Sequence, residues 1–213
     1  MNEVTHKYAQ VNLKYSRRSH VLIQKMLREH LKEEMIVLDV GCADGMVGKL
    51  VDSRFHKNII GLEYDPLLAQ EAEKVYKKVY KYDLDILPLP FESGSMDIIV
   101  AADVIEHCKR DKEVTRELYR ILKPGGICIV SLPNIAQFPF RFQLLFGNFN
   151  YEPTGVLCED HLHFYTLKTM RKLLREAGFS IEKEEGSGTL YSFLPVWKTF
   201  LAPQIVFLCS KRE

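Results

Sequence analysis

Residues 37–45, VLDVGCADG, limit more than any other segment how this chain can fold. A short β-prone run carrying Asp39 turns through Gly41, Cys42, Ala43, Asp44 and Gly45, and a helical pattern follows with Gly48 in its first turns. This reads as a buried strand, a tight turn and a helix N-terminus. Glycines at the turn let the backbone reach positive φ and let a ligand sit directly on the main chain. A dinucleotide-binding fingerprint would need glycines at 41, 43 and 46. The chain has Ala43 and Met46 there, which disfavours a nicotinamide-dependent oxidoreductase.

The rest of the chain repeats the strand-then-helix rhythm. Residues 1–34 read as an amphipathic helical lead-in, with Val21, Leu22, Met26, Leu27 and Leu31 near helical spacing. Strands are expected at 35–40, 59–62, 80–84, 96–101 and 127–131, with a last pair near 180–185 and 204–210. Helices are expected over 45–53, from Pro66 to about Val79 with Asp65 as its cap, over 111–122, from about Thr166 to a cap at Gly178, and around 194–201. Residues 96–101 form a nearly continuous apolar run, as in a parallel strand covered on both faces. Residues 135–163 break the rhythm. They read as irregular and aromatic-rich, with Phe138, Phe140, Phe142, Phe146, Phe149 and Tyr151. A Gly-Ser-Gly turn is expected at 186–188. Alternating strands and helices predict an α/β fold, a doubly wound and mostly parallel sheet. Ligands in such sheets bind beyond the carboxyl ends of the strands. The residues to watch are therefore Asp39 to Gly45, Glu63, Asp83 with Leu84, Ala102 to His107, and Pro133 with Asn134.

With 213 residues the chain is most simply one domain, able to bury about 70% of its unfolded surface. Basic and acidic residues number 29 and 28, a net charge of +1, so no strong global field draws it to nucleic acid or anionic lipid. No apolar run approaches the roughly 20 residues of a membrane span. The polar N-terminal residues do not read as a signal peptide. Five cysteines, widely spaced and without a C-x-x-C pair, fit reduced thiols and a cytoplasmic location.

Read together, the motifs from 35 to 131 resemble those of class I S-adenosylmethionine (SAM)-dependent methyltransferases. Asp39, Gly41 and Gly45 stand in the places of the family's first motif, with Ala43 where the family often has glycine. The segments KYDLDILPLPFESGSMDIIV, DVIEH and LKPGG follow in the family's order. Beyond 131 the likeness is looser, and runs to methionine-biosynthesis-W-like proteins and to methyltransferases of sugar and lipid clusters. The resemblance implies a seven-stranded sheet whose last strand runs antiparallel between its neighbours. It also implies SAM as cofactor, S-adenosylhomocysteine as product, and a cofactor site built from Asp39, Gly41, Cys42, Ala43, Gly45, Glu63, Tyr64, Asp83, Leu84, Ala102 and Asp103. Glu63 is placed to accept both ribose hydroxyls, since Asp65 already suits the helix cap before Pro66. Tyr64 could lie against the adenine or simply pack at the surface. Asp83 would accept from the adenine amino group, with Asp85 a rival. Arg17 and Arg18 are either solvated helix charges or partners of the SAM carboxylate.

Several readings stay open on the acceptor side. Asp103, Glu106 and His107 share one face if DVIEH is helical. They then serve as packing around the cofactor, as a general base, or as ligands of a divalent metal. The last use is found in ubiquinone-biosynthesis O-methyltransferases, where such a set activates a catechol oxygen. His161 and His163 could point together from an extended segment, as a second source of proton abstraction or as packed, backbone-bonded side chains. The Phe-rich stretch 138–151 suits a lid over an apolar acceptor, a contact with a second copy of the chain, or a membrane-facing patch. The expected function is methyl transfer from SAM to a small-molecule acceptor at oxygen. The competing reading is a SAM-fold partner protein without catalysis, supporting another biosynthetic enzyme.

Overall fold

In the computed structural model, residues 19–188, 191 and 197–212 are described. Seven strands form one sheet in the order β3-β2-β1-β4-β5-β7-β6. They are β1 (Val37–Val40), β2 (Ile59–Glu63), β3 (Lys78–Lys81), β4 (Met96–Ala102), β5 (Leu122–Pro133), β6 (Ser180–Ser187) and β7 (Gln204–Ser210). The first five pair in parallel, and β7 lies antiparallel between β5 and β6. The helices are α1 (residues 19–30), α2 (Met46–Lys49), α3 (Pro66–Ala72), α4 (Asp111–Ile121), α5 (Phe138–Leu145), α6 (Leu167–Ala177) and α7 (Lys198–Leu201), the last within the stretch 194–201 where a helix is expected.

The alternation of side chains along the central strands explains the double winding. Leu38, Val40, Ile99 and Ala101 enter one apolar cluster, with Leu118, Met170 and Leu174 of α4 and α6. Val37, Ile98 and Val100 enter the other, with Ile23, Met26 and Leu27 of α1 and Ala69 and Ala72 of α3. A strand buried on both faces must be apolar throughout, which is why β4 reads as a continuous run. The strand order reverses between β1 and β4, so the crevice of the fold opens at their carboxyl ends.

Several boundaries differ from the sequence expectation. Helix α2 has four residues, because Asp52 accepts from Arg54 N and starts a separate 3₁₀ turn, Ser53–Asn58. Helix α3 stops at Ala72 and β3 begins at Lys78, two residues earlier than expected. Lys77 N donates to the carbonyls of His56 and Ile59 and so turns the chain onto the sheet. Val79 and Tyr80 belong to this strand, at the sheet edge, with exposed lysines on either side. The turn expected at 186–188 is largely strand, because β6 runs through Ser187. Gly186 has no room for a side chain: a Cβ there would stand 2.7 Å from Ala202 Cβ and 2.8 Å from the Tyr191 ring. Helix α5 lies in the stretch expected to be irregular, and DVIEH holds only a 3₁₀ turn, Ile105–His107. Of the lead-in residues, Val21 is exposed. Arg17, Arg18 and residues 194–196 lie outside the described residues. All five cysteines are unpaired and buried.

Candidate active site at the carboxyl edge of the sheet

The turn after β1 is shaped by backbone strain and close packing. Gly41, Ala43 and Gly45 have φ of 63°, 45° and 81°. A Cβ on Gly41 would lie 2.4 Å from Val104 Cγ2, so the turn after β1 rests directly on the chain leaving β4. Beneath it Asp39, buried in β1, accepts from Tyr76 Oη, which in turn accepts from Gly48 N at 3.0 Å. Burial pushes the Asp39 carboxyl up to about 7, against the pull of the Tyr76 hydrogen bond and with the Glu63 charge adding to it. Cys42 is buried and its thiol is likewise pushed up, first by burial and then by Asp39 and Glu63.

Glu63, at the end of β2, ties this turn to the next. Its Oε2 accepts from Ala43 N and its Oε1 from Asp65 N, each at 2.8 Å. Asp65 accepts from Leu67 N and Leu68 N and caps α3, as its position before Pro66 predicts. Tyr64 is 74% exposed beside it. After β3, Asp83 Oδ1 accepts from Asp85 N at 2.9 Å. Asp85 is committed to the N–H groups of Lys109 and Arg110 at 3.2 and 3.1 Å. Leu84 packs against the apolar cluster.

After β4, Ala102 leads into Asp103, which has a φ of 52°. Ser131 Oγ donates to its Oδ1 at 2.6 Å and Gln204 Nε2 to its Oδ2 at 2.8 Å. Burial raises the Asp103 carboxyl, opposed by these two hydrogen bonds and by His20 and His107 nearby. Asp103 thus joins β4, β5 and β7. Glu106 is fully buried, and burial, helped by the charge of Asp103, holds its carboxyl well above the usual range. His107 is exposed, and its Nδ1 lies 3.0 Å from the Asp160 carbonyl. His161 sits against it, with ring centroids 4.7 Å apart. Burial, with His107 adding to it, brings the His161 imidazole down to about 4.

His161 and His163 therefore do not act as the pair their alternation suggests. His163 Nε2 lies 3.8 Å from Asp111, which also accepts from Tyr165 Oη at 2.6 Å. The histidine that His161 meets is His107. Asp103 lies before the 3₁₀ turn that holds Glu106 and His107 and is hydrogen-bonded to Ser131 and Gln204 instead, so the three do not share one helical face although their charges act on one another. Sequence reasoning missed Tyr76, which it placed inside a helix, and it missed Ser131 and Gln204 as partners of Asp103. No local signal marks those three: Tyr76 reaches back to Asp39 and Gly48 from the turn before β3, and Ser131 and Gln204 reach Asp103 from β5 and β7.

A strained turn after β1, an acid closing β2 and further acids after β3 and β4 all stand at the carboxyl edge of the parallel strands. Residues 13–184 match the family model described as a methyltransferase domain, and the chain belongs to that family of SAM-dependent enzymes. The sequence is 28% identical over 171 residues to the probable S-adenosylmethionine-dependent methyltransferase of Mycolicibacterium smegmatis, an alignment that covers 80% of this chain and 61% of that protein. This chain thus spans about three-fifths of that relative's length. It is 26% identical over 218 residues to the demethylmenaquinone methyltransferase of Lactococcus lactis, covering 90% of this chain and 85% of the relative. The fold matches that of a SAM-dependent methyltransferase of Thermotoga maritima with a TM-score of 0.70 at 22% identity, over 98% of this chain and 96% of the other. Among the described residues no helix is long and apolar enough to cross a membrane.

Proposed function

We propose that this chain transfers the methyl group of SAM to an oxygen of a small, largely apolar acceptor. The observation that carries the reading is that the Gly41–Gly45 turn and Asp103 flank the point where the strand order reverses, with Glu63 hydrogen-bonded to that turn and Asp83 following the neighbouring strand β3 along the same edge. The residues fit the cofactor. A carboxylate offers about four lone-pair sites. Glu63 uses two on backbone N–H groups, which leaves two for the ribose hydroxyls. Asp83 keeps its Oδ2 for the adenine amino group, with Leu84 N–H beside it, whereas Asp85 is spent on the start of α4. Tyr64 offers an exposed ring to the adenine. The main chain from Gly41 through Cys42 and Ala43 to Gly45 faces the methionine part, with Ala102 and Asp103 opposite. Asp39 supports that turn from below through Tyr76.

When bound, SAM supplies the electrophilic methyl group and its own leaving group. The protein's tasks are to hold the acceptor in line, to exclude water and to take up a proton. Helix α5 and the residues after it suit the second task. They expose Phe142, Leu145, Phe146 and Phe149 beside the crevice's acceptor side, as a lid for an apolar molecule would. Asp103 is held by two donors, so it positions the end of β4. His163 is turned to Asp111. Proton uptake falls to the cluster of Glu106, His107 and His161. The demethylmenaquinone methyltransferase relative also points to a small-molecule acceptor.

A calorimetric titration with S-adenosylhomocysteine, with NAD as the control ligand, tests the cofactor. Micromolar binding of the former alone is expected. Labelled SAM offered with a metabolite pool then tests transfer, and a labelled product is expected. Binding without any labelled product would favour the partner-protein reading.

A further inference from the structure

The segment that carries His161 is fastened to the turn after β4 by main-chain bonds. The carbonyl of Glu106 accepts from Leu162 N at 2.9 Å and His163 N at 3.1 Å. The Glu106 side chain is buried there, and among the described residues neither of its carboxylate oxygens has a hydrogen-bond partner. His161 Nε2 stands 4.0 Å from Glu106 Oε1. The ring nitrogens show what this cluster lacks. His107 Nδ1 is bonded to the Asp160 carbonyl at 3.0 Å, and His161 Nδ1 to the Val156 carbonyl at 3.1 Å. A carbonyl only accepts, so both Nδ1 atoms carry the hydrogen, and in the neutral rings both Nε2 atoms carry lone pairs. His161 Nε2 therefore faces a Glu106 carboxyl oxygen across 4.0 Å with no hydrogen bond between them. Ligand atoms of Glu106, His107 and His161 all lie within 4.8 Å of one another. A buried carboxyl left without a hydrogen-bond partner is costly, and a cation held between it and the two imidazoles relieves that cost. A backbone carbonyl on the far ring nitrogen is also how metal-binding imidazoles are oriented.

We infer that Glu106, His107 and His161 form a binding site for a divalent cation of the zinc class. Two imidazoles and one carboxylate suit zinc better than magnesium or calcium, which favour all-oxygen shells. Ligands about 2.1 Å from a tetrahedral zinc stand about 3.4 Å apart, so the 4.0 Å between His161 Nε2 and Glu106 Oε1 closes by about 0.6 Å on binding and no pair of the cluster, all within 4.8 Å, closes by more than about 1.4 Å. Asp103 is not counted as a ligand, because its oxygens are oriented to Ser131 and Gln204 and it lies outside the group of Glu106, His107 and His161. The cation ties the segment around His161 to the end of β4, and three protein ligands leave a further position open. With a cation in place the Nε2 lone pairs and the carboxylate are coordinated, so the cluster takes up a proton only when the cation is absent. The inference stands on the cluster itself and does not depend on methyl transfer.

The test strips the whole chain with a chelator and titrates it with zinc chloride. Thermal melts are recorded with and without zinc, and cobalt(II) serves as an absorbing substitute. One zinc per chain at micromolar affinity or tighter is expected, with a raised melting temperature and the intense visible absorption of four-coordinate cobalt. His161→Ala and Glu106→Gln, each checked for folding by circular dichroism, should lose at least 100-fold in zinc affinity and the zinc-dependent rise in melting temperature. Asp103→Asn should keep both. Absence of zinc binding by the wild-type chain would overturn the site. So would unchanged binding in a folded His161→Ala variant, or loss of binding in a folded Asp103→Asn variant. Titration of the wild-type chain with S-adenosylhomocysteine is a separate measurement, so failure of the cation site is distinguishable from failure of the methyltransferase reading.

Discussion

The turns after β1 and β2 and the turn after β4 close the same crevice in opposite ways. On the first side every acid is answered. Glu63 accepts two main-chain N–H groups, Asp65 caps a helix and Asp39 holds Tyr76. On the second side, among the described residues, Glu106 has no hydrogen-bond partner for either oxygen, the His163 Nε2 atom has none, and α5 buries none of its side chains. The first side is finished by the protein alone and so can serve one fixed cofactor. The second leaves polar atoms and apolar surface unmet, and it suits the variable part of a reaction. Proteins concentrate such unmet groups where something else is to bind.

The sharpest way to break this contrast is at Gly41. A Gly41→Ala side chain meets Val104 and must hold a left-handed φ, so a loss of about 3 kcal/mol in unfolding free energy is expected, together with loss of measurable S-adenosylhomocysteine binding. Adding Val104→Ala should return part of the stability, as chemical denaturation would show. A Gly41→Ala chain as stable as the wild type would mean that the two turns are not in contact.

Next in size is Asp39. Its folded-state pKa of about 7 stands above the ordinary carboxylate value, so between about pH 4 and 7 the folded chain keeps a proton that the unfolded chain has released. Stability therefore falls as pH rises through that window, by on the order of 4 kcal/mol from this group. Asp39→Asn should remove this part of the slope in denaturation curves taken from pH 4 to 8. An unaltered slope would place the titrating group elsewhere.

Glu63→Ala strands the N–H groups of Ala43 and Asp65. It should cost about 1–3 kcal/mol in stability and weaken S-adenosylhomocysteine roughly 10- to 100-fold by calorimetry. Unchanged affinity would remove the ribose role from Glu63. The smallest effect is expected on the unfinished side. Phe146, 73% exposed, should tolerate Phe146→Asp with a stability change within about 0.5 kcal/mol and no change in cofactor affinity. Sedimentation of the same variant addresses the expectation of a homodimer through residues 138–151. A shift from dimer to monomer would make α5 an interface between copies, and a monomer before and after would leave it to the acceptor.

The same contrast decides what was legible in the sequence. The turn after β1, Glu63 and the Asp65 cap are local. A glycine at a positive φ, or an acid before a proline, announces itself within a few residues, and the parallel sheet follows from the apolar runs between such turns. The boundaries of α3 and β3 were not legible, because Val79 and Tyr80 continue a helical pattern until Lys77 is drawn to the carbonyls of His56 and Ile59. The grouping of Glu106 with His107 and His161, and the hold of Ser131 and Gln204 on Asp103, join residues from distant strands and loops. Side-chain periodicity carries no information at that range.

Gln204 reaches Asp103 from a strand that lies about a hundred residues further along the chain. Until β7 slides between β5 and β6, the outer edge of β5 has no neighbour and Asp103 lacks one of its two donors. Growth of the sheet from β1 to β5 can precede this insertion, because those strands pair in parallel with one another. The end of β4 is therefore complete only once β7 is in place, and a chain without β7 paired presents the long edge of β5 to its neighbours. Pairing of one antiparallel strand thus ties the competence of the crevice to the protection of the sheet against edge-to-edge association.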